Sequence, residues 1–305
     1  MIRLLGSELL RFRSRRLVLV LFLVALVVAA FAALIAAVQS TPPGAPALAE
    51  ARARAAREYE NCLTTDWEDP DIEANLEEFC RQNFGNPSLY APSHLALADL
   101  PSILEGTASI TGSIGLVLGA SLMAVSWQTG TISTILTWEP RRVRWYSSRM
   151  VVIAFGVFIV VLSIVAFLAA NLALAAWLRG STEGVTGAWW TDVTTTSLRI
   201  GVVASIAATI AAGIAAVGQR AAAALGAVFV WTVVVEGLVR AFRPLWTPWL
   251  LGDNLVSFVG WQTNSESFDA GSVELSPGRA ALVIIGYSAI AFLLGLAFVR
   301  SRDVQ

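Results

Sequence analysis

Residues 126–150 read SWQTGTISTILTWEPRRVRWYSSRM, a short amphipathic segment set between two long apolar runs. It opens on Thr129-Gly130-Thr131, breaks at Glu139-Pro140 and closes on Arg141, Arg142, Arg144 and Arg149. Ile132, Ile135 and Leu136 share one face of a helix over 129–139, and Thr129 or Thr131 stands where a cap is needed. Proline disfavours a helical residue before it, so the helix stops at Glu139. The arginines then suit an anionic inner leaflet, with Trp138, Trp145 and Tyr146 as interfacial anchors. Such a segment lies along the cytoplasmic face of a membrane and offers a small docking surface. The plainer reading is a cytoplasmic loop that follows the positive-inside rule.

Composition agrees with lipid surroundings. The chain has 305 residues, 56% hydrophobic and only 14% charged, where soluble domains carry about 25% charged residues. A helix needs roughly 20 apolar residues to cross a bilayer. Six runs qualify or nearly do: 17–38, 110–127, 150–178, 198–217, 221–242 and 280–299. A seventh apolar patch, 245–261, is interrupted by Pro248, Gly252, Asp253 and Asn254 and is too broken to span. The run over 17–38 follows arginines in the manner of a signal peptide, but it is too long for one and is expected to be a retained first span.

The net charge of −1 hides an asymmetry. With six spans and a cytoplasmic start, arginines 3, 11, 13, 15, 16, 141, 142, 144, 149, 220, 300 and 302 fall inside. Only Glu8, Glu139 and Asp303 oppose them there. The positive-inside rule therefore favours a multi-pass protein with both termini cytoplasmic. All 21 basic residues are arginine, which together with the alanine content fits a GC-rich genome and a bacterial cell membrane. Without lysine the chain holds no ordinary phosphate-binding loop and no Schiff base.

Residues 1–16 place Ile2, Leu5, Leu9 and Phe12 at helical spacing, with Arg3, Glu8, Arg11 and Arg13 largely opposite. That pattern predicts an interfacial amphipathic helix. Residues 17–38 form the first span, and 39–109 the only sizeable soluble portion, an extracellular helical lobe. Pro42, Pro43, Gly44 and Pro46 make a stiff exit from the membrane. Residues 47–60 are rich in Ala, Arg and Glu and read as a helix. A second helix starts with Asp69 as cap and Pro70 behind it, placing Ile72, Leu76, Phe79 and Cys80 on one face. Cys62 and Cys80, the only cysteines, both lie here, and outside the cytoplasm such a pair oxidises. Closing that loop contributes about 3 kcal/mol.

Residues 110–305 carry spans two to six, with a cytoplasmic loop at 128–149 and an outer re-entrant segment at 243–278. Gly201, Ala204, Ala208, Ala212, Gly213 and Gly218 in the fourth span, and the alanines opening the fifth, predict a tight hairpin around Gln219-Arg220. Glu236 is the one acid well inside an apolar span, and Arg240 follows four residues later on the same face. The pair reads either as part of an outer gate or translocation path, or as a self-neutralising anchor at the headgroups. Trp246, Trp249, Phe258 and Trp261 suit a surface or re-entrant helix at the outer mouth, level with Trp189 and Trp190.

Enzyme chemistry finds little support. One histidine, His94, is too few for a histidine-rich metal site or a Ser-His-Asp triad, so neither catalytic nor metal-ligating residues are assigned. The few basic residues hug the membrane surface, which gives nucleic acid no platform.

The 128–149 loop resembles the coupling segment of type-2 ABC exporter permeases, six-span membrane subunits that pair with a separate ATPase. The resemblance rests on Gly130, Thr131, Ile132, Ile135, Leu136, Thr137, Pro140, Arg141 and Arg142. It extends to the N-terminal lying helix, the six spans, the lobe after the first and the apolar patch before the last. Members often carry a glutamate four residues before the glycine; here that position is Ser126, leaving Glu139 as the nearby carboxylate. The resemblance implies an all-α polytopic fold and a partner set: cytoplasmic ABC ATPase subunits, a second permease copy or a similar permease, and lipid. ATP and Mg would sit on the ATPase, with no cofactor on this chain. It also implies export of a hydrophobic or amphipathic substrate, such as a drug, lipid or peptide. The alternatives are a non-transporting sensor or assembly scaffold with an extracellular binding lobe, and a secondary transporter.

Overall fold

Apolar residues with no backbone partners other than their own must form helices in lipid, and the computed structural model is helical throughout the long apolar runs. It describes residues 2–40, 44–65, 76–90, 94–138, 141–182, 185–260 and 276–301. Among the described residues, six helices are long and apolar enough to cross a membrane: α2 (Arg16–Gln39), α6 (Ala108–Gln128), α8 (Arg142–Arg179), α9 (Gly187–Gly218), α10 (Ala221–Phe242) and α12 (Pro277–Ser301). The remaining helices are α1 (Ile2–Arg13), α3 (Ala45–Thr64), α4 (Leu76–Asn83), α5 (Leu100–Gly106), α7 (Thr131–Trp138) and α11 (Leu251–Val259). Among the described residues there is no strand, only a single parallel bridge between Ala96 and Ser181. The described residues are thus helical in architecture, with the six long apolar helices of a multi-pass membrane protein.

Several helices outrun the apolar runs that announce them. The third run begins at Met150, yet α8 starts at Arg142 and continues unbroken for 38 residues, about 57 Å at 1.5 Å per residue. The fourth run begins at Leu198, yet α9 starts at Gly187, capped by the Thr186 hydroxyl accepting from the Trp189 amide at 3.3 Å. In the polar stretch between, hydroxyls bond back to the helix and so need no outside partner. Thr191 donates to the Gly187 carbonyl, Thr194 to Trp190 and Ser197 to Val193.

The chain divides into two compact units. The first comprises Met1–Ala29, Leu100–Ala170 and Thr186–Gln305. Its centre is α9, which lies against α5, α6, α10, α11 and α12. The closest approaches use residues without a Cβ: Gly115 faces the backbone of Ala204, Gly119 that of Ala208, and Gly213 that of Ala291. An alanine at Gly119 would collide with the Ala208 carbonyl, so α6 and α9 sit at a separation only glycine permits. The small-residue stripe of α9 thus serves α6 and α12 in addition to the expected neighbour α10. Hydroxyls add specificity: Thr209 pairs with Ser288 of α12 at 3.0 Å, and Ser205 donates to the Ala154 carbonyl of α8 at 2.8 Å. Ile210, Leu251, Ile284 and Ala291 form a buried cluster that joins α9, α11 and α12. By contrast α10 keeps Phe229, Val233, Leu238 and Phe242 exposed, as lipid-facing residues are.

The second unit comprises Ala30–Asp99 and Asn171–Val185. In it α3 and α4 are tied by the expected disulfide between Cys62 and Cys80, and both cysteines are buried with Ala51 and Ala55. The α3 helix is longer than the predicted 47–60, running to Thr64. Ser40 is the hub of the rest: its hydroxyl donates to the Arg179 carbonyl and accepts from the Leu95 amide, both at 2.9 Å. Ser181 continues the link, donating its amide to Leu95 and accepting from Leu97. The predicted helix start at Asp69-Pro70 with Ile72, the linker prolines Pro42 and Pro43, and Trp261 all lie outside the described residues.

Candidate functional site

The segment between α6 and α8 is built from a helix stop. At the end of α6 the Thr129 hydroxyl donates to the Val125 carbonyl at 2.8 Å and lies 3.1 Å from that of Thr131. Gly130 follows at φ +66, a left-handed conformation that suits glycine, and turns the chain out of α6. Helix α7 then runs from Thr131 to Trp138. Ile132 is buried, while Thr131, Thr134 and Thr137 are exposed along the opposite side. Ile135 and Leu136 lie in α7, though their side chains are outside what the structure describes, as are Glu139 and Pro140. Arg141 is exposed and its carbonyl accepts from the Arg144 and Trp145 amides, so it serves as the start of α8, with Arg142 half-buried behind it.

Three of the aromatic and basic residues that follow turn inward instead of toward an interface. Trp145, Tyr146 and Arg149 are buried, where the sequence places them at the headgroups. The reason is that α8 runs straight through this stretch, so 145, 146, 149, 150 and 153 make one helical face turned into the protein. Tyr146 donates to the Phe292 carbonyl of α12 at 3.2 Å and packs on Gly295, which leaves no room for a side chain. Arg149 stacks 5.6 Å over the Trp145 ring and donates to the Leu122 carbonyl of α6. Its other terminal nitrogen reaches the Glu8 carboxylate of α1 at 3.2 Å. Glu8 is 4% exposed, which corrects its placement on the polar face of the first helix. Glu8, Phe12 and Val18 are buried instead, Phe12 against Gly156, while Leu9 and Leu10 are exposed. Arg11 closes on the same carboxylate at 2.9 Å.

A second cluster surrounds Glu236. The helix α10 loosens into a π-turn over Val230–Val235, immediately before it. Such wide turns shift the register of everything after them and are often found at functional positions. Glu236 is 1% exposed. One carboxylate oxygen accepts from the Leu251 amide at 2.9 Å and from Gly252 at 3.2 Å, so the side chain caps α11 from outside its own sequence neighbourhood. Its other oxygen meets Arg240 at 3.2 Å, the pair read from the sequence. Arg240 also holds Asp253 through two bonds, at 2.9 and 3.2 Å. Gly252 is fitted to this arrangement, since a Cβ there would lie 2.8 Å from a Glu236 oxygen. Below, Asn254 donates to the Pro248 and Leu250 carbonyls, and the Tyr287 hydroxyl to that of Trp249. The patch before the last span is therefore a folded 3₁₀ turn plus α11, fastened to α10 by a carboxylate.

A third acid, Glu105 of α5, stands beside Gly260 at the end of α11, within electrostatic reach of Arg199. Burial raises its carboxyl above the ordinary value, and Arg199 pulls it part of the way back.

Sequence reasoning thus identified Glu236 with Arg240, and Cys62 with Cys80. It missed Asp253, Glu8 and Arg149 as partners, and missed α11 as the recipient of Glu236. Among the described residues no group of three or more His, Cys, Asp or Glu is placed to hold a metal. What the arrangement can do is mechanical: α1, α6 and α8 are joined at one buried guanidinium, and α10 and α11 at one buried carboxylate. No protein-family model matches the chain, and no curated protein matches it either.

Proposed function

We propose that the chain is the membrane subunit of an ATP-driven exporter of the type-2 ABC permease kind, powered by a separate ATPase. The observation that carries this reading is α7. It is a short helix turned out of α6 by a left-handed glycine, with Thr131, Thr134, Thr137 and the following Arg141 exposed. A helix that keeps one side uncovered between two spans is suited to be gripped from the cytoplasm. The link from Glu8 through Arg149 to the Leu122 carbonyl supports the same reading, because it would make α1, α6 and α8 move together when α7 is pushed. Two such chains, or one and a similar permease, would rock about this contact and release a hydrophobic or amphipathic substrate outward. ATP and Mg would be bound by the partner.

A proton-coupled secondary transporter is less well supported. Glu236 accepts from two amides and one guanidinium, which makes it a fastening rather than a free carrier of protons. Purification of the tagged chain in mild detergent, with mass spectrometry of what accompanies it, tests the exporter reading. A stoichiometric chain bearing a phosphate-binding loop is expected, and Arg141→Glu with Arg142→Glu should release it while the melting temperature stays unchanged. Recovery of the chain alone from its native membrane would overturn the reading.

A further inference from the structure

The turn that joins α1 to α2 gathers more positive charge than the described residues around it neutralise. Arg11 and Arg149 both close on Glu8, at 2.9 and 3.2 Å, so one carboxylate already serves two guanidinium groups. Arg15 stands within electrostatic reach of Glu8, Arg11 and Arg149, yet among the described residues it has no carboxylate within ion-pairing distance. Among the described residues, three cations around one anion leave an excess of two positive charges. The interior does not absorb it. Arg149 Nε and Trp145 Nε1 are buried without an acceptor, so on that side donors already outnumber acceptors.

Two further features point outward from the same turn. The first hydrogen bond of α2 runs from the Leu19 amide to the Arg15 carbonyl at 3.3 Å. The amides of Arg16, Leu17 and Val18 precede it and have no acceptor within the helix, which leaves the partial positive end of a 24-residue helix here. Helix N-termini beside arginine are suited to phosphate oxygens. Position supplies the source. This is where the first long apolar helix begins, and the exposed Leu9, Leu10 and Leu17 around the turn suit acyl chains.

We propose that the α1–α2 turn binds the phosphodiester of an anionic phospholipid, held by Arg11 and Arg15 over the start of α2. Each arginine at an anionic membrane surface contributes about a fivefold gain in binding. The bound headgroup would fix α1 against the bilayer while Glu8 and Arg149 fix it against α6 and α8. The function of this site does not depend on whether the chain exports anything.

Native mass spectrometry of the full-length chain released from nanodiscs of mixed phosphatidylglycerol and phosphatidylcholine tests the site. The wild type is expected to retain phosphatidylglycerol selectively. Arg11→Gln with Arg15→Gln should weaken that retention by roughly 25-fold, and Arg15→Gln alone by about fivefold. The single variant leaves the Glu8–Arg11 and Glu8–Arg149 pairs in place, which protects the fold. Arg220→Gln with Arg300→Gln removes the same charge from exposed positions outside this turn and should leave retention close to that of the wild type. Equal losses in the two double variants would reduce the effect to diffuse attraction and overturn the proposal. Displacement of the lipid by inorganic phosphate alone would show a soluble anion to be the ligand and would also overturn it.

Discussion

Arg149 of α8 reaches Glu8 of α1 at 3.2 Å across 141 residues of sequence, and both side chains are buried. Removing one partner of a buried ion pair leaves the other charged and uncompensated, at a cost of about 3 kcal/mol or more. Glu8→Ala strands Arg149, whose Nε already lacks an acceptor. Thermal unfolding in detergent should show Glu8→Ala strongly destabilised. The double variant Glu8→Ala with Arg149→Met should recover most of the loss. A single variant that melts like wild type would mean that the pair contributes nothing.

Glu236 carries a comparable load at the other cluster. Glu236→Ala leaves the Leu251 and Gly252 amides and the Arg240 guanidinium without their acceptor. Each unsatisfied buried group costs about 1–3 kcal/mol. Hydrogen exchange at those two amides should rise selectively in Glu236→Ala, with the π-turn residues following. Glu236→Gln keeps an acceptor oxygen and should lie between the two. Unchanged exchange at Leu251 and Gly252 would rule out the cap.

Glu105 gives the pH dependence. Burial holds its folded-state carboxyl above the ordinary value, so the folded chain prefers the protonated form. Stability from this group is full at low pH and is lost as pH rises through the raised value. Glu105→Gln fixes the neutral form. Its melting temperature should therefore match wild type in acid and exceed it increasingly as pH rises toward neutrality. A gap that narrows with rising pH would contradict the assignment.

The disulfide makes the second unit depend on oxidation. The bridge spans 18 residues, and loss of a loop of that size costs about 3 kcal/mol. Reduction, or Cys62→Ser with Cys80→Ser, should expose the α3–α4 segment to protease while the apolar helices stay protected. Equal resistance of the oxidised and reduced forms would show the bridge to be dispensable.

The legible parts of this fold are those in which a local pattern does the work. Apolar runs of bilayer length announce six helices, and two cysteines in one lobe announce their bond. The spacing of Glu236 and Arg240 at four residues announces their pair. What stayed hidden depends on contacts across the sequence. Asp253 lies 13 residues beyond Arg240, past a chain reversal that no helical period spans. Glu8 and Arg149 each sit in a stretch of arginines that the positive-inside rule already explains, so nothing marked either as buried. A usable signal was present in α8. Trp145, Tyr146, Arg149, Met150 and Ile153 keep one helical face from the arginine cluster into the apolar run, the pattern of a buried stripe. The glycines and alanines of α9 foretold close packing but carry no information on which helix approaches.

Site-specific cross-linking from α7 tests the central claim most directly. Thr134 is exposed in mid-helix and makes a suitable position for a photoreactive residue, leaving Cys62 and Cys80 undisturbed. In native membranes the probe at Thr134 should capture a chain with a phosphate-binding loop, in a yield that changes when ATP is supplied. A probe on the exposed face of α10, at Leu238, should capture no such chain. Cross-linking from Thr134 to lipid only, or to a partner without an ATPase domain, would contradict the exporter reading.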